Sequence, residues 1–253
     1  MSGLKGRVAL VSGGSRGIGR AVALALAADG ADVAVTYRKD EDSARSAVSD
    51  IESAGRRGAM FAADVVDPEA TTALAQRVLG EFGPVDVLVH SAGIASRGHS
   101  VASTDVAEVV RLFNTHTLAA FILAKELIPA MREAPRGDIV MISSSATSRM
   151  APNSSPYNIG KAGLEALAMT LAKEERRNGI HVNVVAPGLV ETEMGRRLVK
   201  GAMGVDDIHT LDAGSPFGHV CTPEEVADVV RFLVSGGGGY VTGVKITVDG
   251  GTF

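Results

Sequence analysis

The 253-residue chain predicts an α/β fold, a doubly wound parallel sheet with helices on both faces. Three observations predict it. Strand-length apolar runs alternate with helix-length segments from one end to the other, the order that a parallel sheet with crossover helices requires. A run such as Ile139-Val140-Met141-Ile142 is continuously apolar, as in a strand buried on both faces. No linker, repeat or low-complexity segment divides the sequence, so residues 1–253 are expected to form a single domain.

The elements follow in order. Residues 7–11 read as a strand and 17–29 as an Ala/Leu-rich helix. A strand at 32–36 precedes a helix at 41–54, and a short strand at 59–62 ends before Asp64. Asp67-Pro68 opens a helix over 68–82, since proline suits the first helical position. A strand at 85–90 leads to a long helix at 103–132, bent or ended by Pro129. After the strand at 139–142, Ile159, Leu164, Leu167, Ala168 and Leu171 recur at helix spacing. A strand at 181–185, a helix at 222–234 and a strand at 245–248 complete the series. The four glycines at 236–239 make only a turn. Residues 188–220 break the rhythm, with several glycines and weak periodicity. They read as a mobile lid or a long surface loop; their place after the C-terminal end of a strand, where such sheets bind ligands, favours the lid.

Composition excludes several functions. The net charge of −4, with no basic block, argues against a nucleic-acid partner, and the absence of Trp with only 4% aromatics argues against a base-stacking surface. One cysteine, Cys221, permits no internal disulfide and fits a reducing, cytoplasmic setting. The opening MSGLKGRVALVSGG has too short an apolar run for a signal peptide, and no apolar run approaches 18 residues, so no membrane span is expected. No histidine pair has metal-ligand spacing, and no metal is expected.

The chemistry-bearing motifs sit where strands end. After the first strand comes Ser12-Gly13-Gly14-Ser15-Arg16-Gly17-Ile18-Gly19. Gly13, Gly17 and Gly19 at a strand-to-helix turn let the backbone approach a phosphate, and the helix N-terminus favours an anion. The second strand ends in Thr36-Tyr37-Arg38-Lys39, with no carboxylate until Asp40. Arg16, Arg38 and Lys39 around a ribose suit a 2′-phosphate, so the expected cofactor is NADP(H). Asp64-Val65 after the third strand would hold the adenine, or serve only as a helix-leading turn. His90-Ser91-Ala92-Gly93 ends the fourth strand at the same sheet edge. After the fifth strand come Ser143, Ser144 and Ser145, then Tyr157 and, four residues on, Lys161. Positions four apart share a helix face, so Tyr157 and Lys161 point the same way, near a strand-end serine.

In this combination and order the chain resembles the short-chain dehydrogenase/reductase family over its whole length. The glycine loop, Asp64, Ala92-Gly93, Ser144, Tyr157-x-x-x-Lys161, Pro187-Gly188 and Val248-Asp249-Gly250-Gly251 all fall in family order. The segments from Val182 to Met194 and from Tyr240 to Gly243 look most like 3-oxoacyl-acyl-carrier-protein reductases. The resemblance implies a single-domain Rossmann fold and hydride transfer between a nicotinamide and a carbonyl carbon. It implies Tyr157 as the acid that protonates the oxygen, and Lys161 as the cation that favours the phenolate and holds the ribose. Ser144, chosen from the three serines by its spacing to Tyr157, would orient the carbonyl.

The same resemblance assigns Gly13, Ser15, Arg16, Gly17, Ile18, Gly19, Tyr37, Arg38, Lys39, Asp64 and Val65 to the phosphate and adenosine end of the cofactor. It assigns Ser91, Ala92, Gly93, Tyr157, Lys161, Pro187, Gly188, Val190 and Thr192 to the nicotinamide end. Two departures stand out. His90-Ser91 replaces the family's usual Asn-Asn, and His116 falls where an asparagine normally supports the lysine through water. His116 either holds that water or is a packed helix histidine. The partners implied are a carbonyl or acyl-thioester substrate, an acyl carrier protein, and further copies of the chain in a homotetramer. Alternatives are an alcohol, sugar or steroid dehydrogenase of the same family and a non-catalytic dinucleotide sensor.

Overall fold

The computed structural model describes residues 3–252; the ends of the expected domain, residues 1–2 and 253, lie outside them. Seven parallel strands form one sheet in the order β3-β2-β1-β4-β5-β6-β7. They are β1 (Val8–Ser12), β2 (Asp32–Tyr37), β3 (Gly58–Ala62), β4 (Val87–His90), β5 (Gly137–Ile142), β6 (Ile180–Pro187) and β7 (Lys245–Val248). The helices are α1 (Gly17–Ala28), α2 (Glu41–Ser53), α3 (Pro68–Glu81), α4 (Val106–Phe113), α5 (Ala119–Met131), α6 (Ala146–Arg149), α7 (Ser155–Glu175), α8 (Glu193–Met203) and α9 (Pro223–Val234). The chain builds outward from β1 to β3, then crosses back to place β4 on the other side of β1. That reversal opens a crevice at the C-terminal ends of β1 and β4, where sheets of this kind bind ligands.

Val8–Val11 of β1 and Ile139–Ile142 of β5 are apolar throughout because both faces of these strands are covered. On β1, Ala9 and Val11 join the core under α1 and α9, whereas Leu10 joins the core under α3, α5 and α7. β5 divides likewise: Val140 and Ile142 face one layer, Ile139 and Met141 the other. Burying one such side chain contributes roughly 1.5–3 kcal/mol, so a one-residue change of facing would be costly. Side chains cap the starts of several helices: Asp40, Asp67 and Asp105 accept from backbone N–H groups, and Thr222 with Glu225 forms a reciprocal box at α9.

Two expectations require correction. The helix expected at 103–132 is a short 3₁₀ turn at Val101–Ser103, then α4, a π-helical segment at Asn114–Leu118, and α5. Pro129 lies inside α5, which continues to Met131. The change of winding comes from Asn114–Leu118, where the Thr115 hydroxyl donates to Arg111 O (2.8 Å) and competes with the helix ladder. α7 makes room for this segment. A Cβ on Gly160 would sit 3.0 Å from His116 Cδ2, and one on Gly163 would sit 2.8 Å from Thr117 Oγ1. The combined stretch Val106–Met131 is long and apolar enough, by length and composition, to cross a membrane, with mean hydropathy 1.3. Its Leu112, Leu123, Leu127 and Met131 instead pack fully inside the fold.

The second correction concerns 188–220, which is largely helical rather than an irregular loop. It holds α8 and 3₁₀ segments at Ile208–Gly214 and Pro216–Gly218. Val199, Ile208 and Val220 form a small core of their own, with Leu189, Val205 and Leu211 against it. Elsewhere boundaries move by one or two residues; Val85 is buried but precedes β4.

Candidate active site

The ends of β5 and α7 bring the expected catalytic side chains together. β5 ends at Ile142, whose carbonyl accepts from Lys161 Nζ at 2.7 Å. Two residues later comes Ser144, whose hydroxyl is close enough to the Tyr157 phenol to favour the phenolate. Tyr157 and Lys161 share one face of α7, with Lys161 Nζ 5.9 Å from the centre of the Tyr157 ring. Burial lowers the Lys161 pKa to about 7, against the pull of the Glu165 carboxylate one turn on. The sequence implies a phenol made more acidic by lysine. The structure shows burial raising the Tyr157 pKa, with the Ser144 hydroxyl opposing it.

His116 belongs to this cluster. Its ring is fully buried and meets the Tyr157 ring edge-on, with centroids 5.4 Å apart. Its Nε2 lies 3.0 Å from Ile94 O. A carbonyl only accepts, so Nε2 carries the proton and Nδ1 is a bare acceptor. Nδ1 has no partner although it is buried. It faces the space beside Gly93: a Cβ there would be 3.4 Å from His116 Nδ1 and 3.6 Å from Lys161 Nζ. Burial first, and the charge of Lys161 second, hold the imidazole pKa well below its usual value.

A second buried histidine supports the turn after β4. His90 Nε2 donates to Thr115 O (3.2 Å) in the π segment, which leaves Nδ1 to accept from the Ser12 hydroxyl (2.9 Å). Ser12 Oγ in turn accepts from the backbone N–H groups of Ser91 and Ala92, both at 3.1 Å. Every polar atom of this pair is used, and burial lowers the His90 pKa to about 3. Thus His90 ties β1, the Ser91-Ala92-Gly93 turn and the π segment together.

The glycine loop has the shape a diphosphate requires. Gly13 has φ +66°, and a Cβ there would lie 2.9 Å from Ala92 Cα; one on Gly19 would lie 2.3 Å from Gly13 O. Ser15 is buried, Ile18 is half-buried, and Gly17 has φ +54°. α1 starts at Arg16 without a side-chain cap and has no acid in its first turn. Its positive end therefore suits an anion. At the end of β2, Tyr37 is half-buried, while Arg38 and Lys39 are exposed. The nearest carboxylate, Asp40, is committed to capping α2, accepting from Ser43 N (3.0 Å) and Ser43 Oγ (2.8 Å). Arg16 reaches α8 and pairs with Glu193 at 2.7 Å.

The remaining expected positions line the same rim. Asp64 is exposed and accepts from Val66 N (3.2 Å), with Val65 half-buried beside it. Gly188 is packed against Asp249, its N–H donating to Val248 O (2.9 Å), and Pro187 O accepts from Ser145 N (2.9 Å). Val190 is buried and bridges to Cys221. The Thr192 hydroxyl, expected to face the nicotinamide amide, caps α8 by accepting from Gly195 N (3.0 Å).

Sequence reasoning missed three supports. Glu165 accepts from Ser143 Oγ (2.6 Å) and from Lys245 Nζ (3.2 Å), pinning the serine loop to α7 and β7. Its place one turn beyond Lys161 was the available signal. Asn114, two residues before His116, donates from Nδ2 to Val66 O (3.1 Å) and so holds the Asp64 turn. Ser12 stood next to the glycine loop, but only the contact with His90 reveals its role.

Comparison with known proteins agrees with this geometry. Residues 13–252 match a family model described as enoyl-(acyl carrier protein) reductase. The chain is 36% identical over 249 residues to the 3-oxoacyl-[acyl-carrier-protein] reductase FabG of Escherichia coli, covering 98% of both chains. It belongs to the short-chain dehydrogenase/reductase family. Within this family of oxidoreductases, the chain is also 33% identical to an L-rhamnose 1-dehydrogenase (NAD(P)(+)) of Sphingomonas, over 99% of this chain and 97% of the other. A short-chain dehydrogenase of Burkholderia cenocepacia solved in complex with NADP superposes with a TM-score of 0.87, at 36% identity and 98% coverage of both chains.

Proposed function

We propose that the protein is an NADPH-dependent ketoreductase acting on a 3-oxoacyl thioester or similar ketone. The observation that carries this reading is the convergence of Ser144, Tyr157 and Lys161 at the rim of a cradle fitted to a dinucleotide. When bound, the nicotinamide supplies the hydride that reaches the carbonyl carbon. The Ser144 hydroxyl, beside the phenol, orients the carbonyl oxygen toward Tyr157. Tyr157 donates its proton to that oxygen as the alcohol forms. Burial raises its pKa, so the phenol stays protonated through the neutral range, the state reduction requires. Lys161, held by Ile142 O, contributes positive charge that stabilises the phenolate left behind. The neutral His116 presents Nδ1 as an acceptor for a water shared with Lys161, through which the proton is returned.

For the 2′-phosphate, the reading rests on Arg16 and Arg38 together with the commitment of Asp40 to its helix cap. The likeness to FabG supports an acyl thioester, carried on an acyl carrier protein, as the substrate. A homotetramer is part of the same reading: Val106, Val110, Phe113, Phe121 and Ile159 are exposed along α4, α5 and α7.

A substrate panel tests the proposal. NADPH and NADH absorbance is followed with an acetoacetyl thioester, simple ketones and, in the oxidative direction with NADP⁺ and NAD⁺, sugars. Consumption of NADPH with the thioester supports the reading. Turnover confined to sugar oxidation would replace it with the dehydrogenase that the rhamnose-oxidising relative suggests. Cofactor binding with no turnover on any substrate would replace it with a sensor.

A further inference from the structure

The start of α8 rests directly on the glycine loop. A Cβ on Gly17 would lie 3.3 Å from Thr192 Cγ2, and Thr192 is the residue that caps α8. Across this contact Arg16 Nη1 donates to Glu193 Oε2 at 2.7 Å, joining positions 177 residues apart. Among the described residues, this ion pair links the glycine loop to the segment expected to act as a lid. The segment has its own small core around Val199, Ile208 and Val220, so a change at its start is shared by residues packed together.

The charge of Arg16 is also the smallest of the influences that hold the Asp40 carboxyl, just past the end of β2, below its usual value. Its pairing with α8 therefore engages the residue expected to receive the 2′-phosphate. We propose that Glu193 and the 2′-phosphate of the dinucleotide are alternative partners of Arg16, so that a phosphorylated cofactor unlatches the start of α8 and an unphosphorylated one leaves it latched. This rests on the reading of Arg16 as a 2′-phosphate ligand.

Charge and geometry favour the exchange. A phosphate near neutral pH carries more charge than a carboxylate and offers three acceptor oxygens to the planar guanidinium. The pair that must break is exposed on both sides, with side chains 61% and 48% accessible. Such pairs contribute little to stability. Nor is Glu193 orphaned when Arg16 leaves, because its other oxygen is already bonded by Arg197. By linkage, if the phosphate loosens the latch, the latch weakens phosphate binding by the same factor. Glu193 is therefore a specificity residue that lies outside the phosphate site.

Calorimetric titration of the full chain with 2′,5′-ADP and with 5′-AMP tests this, together with hydrogen exchange across 193–203. The wild type is expected to bind 2′,5′-ADP more tightly than 5′-AMP, and exchange in α8 rises with the first nucleotide only. Glu193→Gln binds 2′,5′-ADP about two- to fivefold tighter at low salt, the scale of an exposed ion pair, with 5′-AMP unchanged. Its α8 exchanges fast without any ligand. Glu193→Asp keeps a negative charge at the helix start but falls short of Arg16, and is expected to behave like Glu193→Gln. Unchanged 2′,5′-ADP affinity in both variants, or slower α8 exchange on adding 2′,5′-ADP to the wild type, would overturn the proposal. Equal affinity of the wild type for the two nucleotides would instead sink the 2′-phosphate reading of Arg16, and the latch with it.

Discussion

Two corners of the same crevice are built in opposite ways. The corner around Tyr157 is closed: Lys161, His116 and His90 are buried, and nearly every polar atom there has a named partner. The corner around Arg16, Arg38 and Lys39 is open, and its charges meet solvent or each other's counterions. In a buried site each missing hydrogen bond costs about 1–3 kcal/mol, so geometry is over-determined before any ligand arrives. In the open corner individual contacts are worth at most about 1 kcal/mol, so selectivity there is a sum of small terms and depends on salt. Chemistry is expected to be unforgiving in the first corner and tunable in the second.

Replacing members of each corner should expose that contrast. Exchanging Lys161 for Met removes the charge that balances the phenolate and is expected to lower turnover about 10²–10⁴-fold, the scale of an acid–base group. A loss below tenfold in steady-state assays would show that the buried cation is not needed. His90 predicts a pH effect. In the folded protein its pKa is about 3, whereas the unfolded chain titrates near 6.5. Below pH 6.5 the unfolded state therefore takes up a proton that the folded state refuses, so stability falls as the pH drops. Between pH 6.5 and 5 the loss from this group is about 2 kcal/mol. Urea unfolding of His90→Asn should show that part of the acid slope removed, and an unchanged slope would contradict the assignment. His116→Asn should lower turnover about fivefold, the scale of one hydrogen bond of ~1 kcal/mol, and alter the pH profile. An unaltered rate and profile would make His116 a packing residue only. The smallest effect belongs to the open corner. Arg38→Ser should weaken NADPH binding a few-fold at low salt, and less at high salt, with NADH unaffected.

The same contrast explains what could be read in the sequence. The apolar runs of β1 and β5 were legible because residues buried on both faces must be apolar, and composition alone records that. The spacing of Ser144, Tyr157 and Lys161 was legible because strand end and helix turn convert it directly into position. The π segment was not: Asn114–Leu118 looks like ordinary helix until Gly160 and Gly163 of α7 show why the backbone bulges there. α8 was hidden by its glycines, yet Gly195 is obligatory, since a Cβ would fall 2.1 Å from Val190 O. Long-range partners such as Ser12 with His90, or Arg16 with Glu193, leave no local pattern at all.

The proposed proton donor in NADPH-dependent ketone reduction is Tyr157. Its most direct test is Tyr157→Phe, which keeps the ring beside His116 and removes only the hydroxyl. NADPH binding by fluorescence titration should match the wild type, while NADPH oxidation with an acetoacetyl thioester should fall about 10²–10⁴-fold. Oxidation retained at the wild-type rate, with cofactor bound as tightly, would contradict the account.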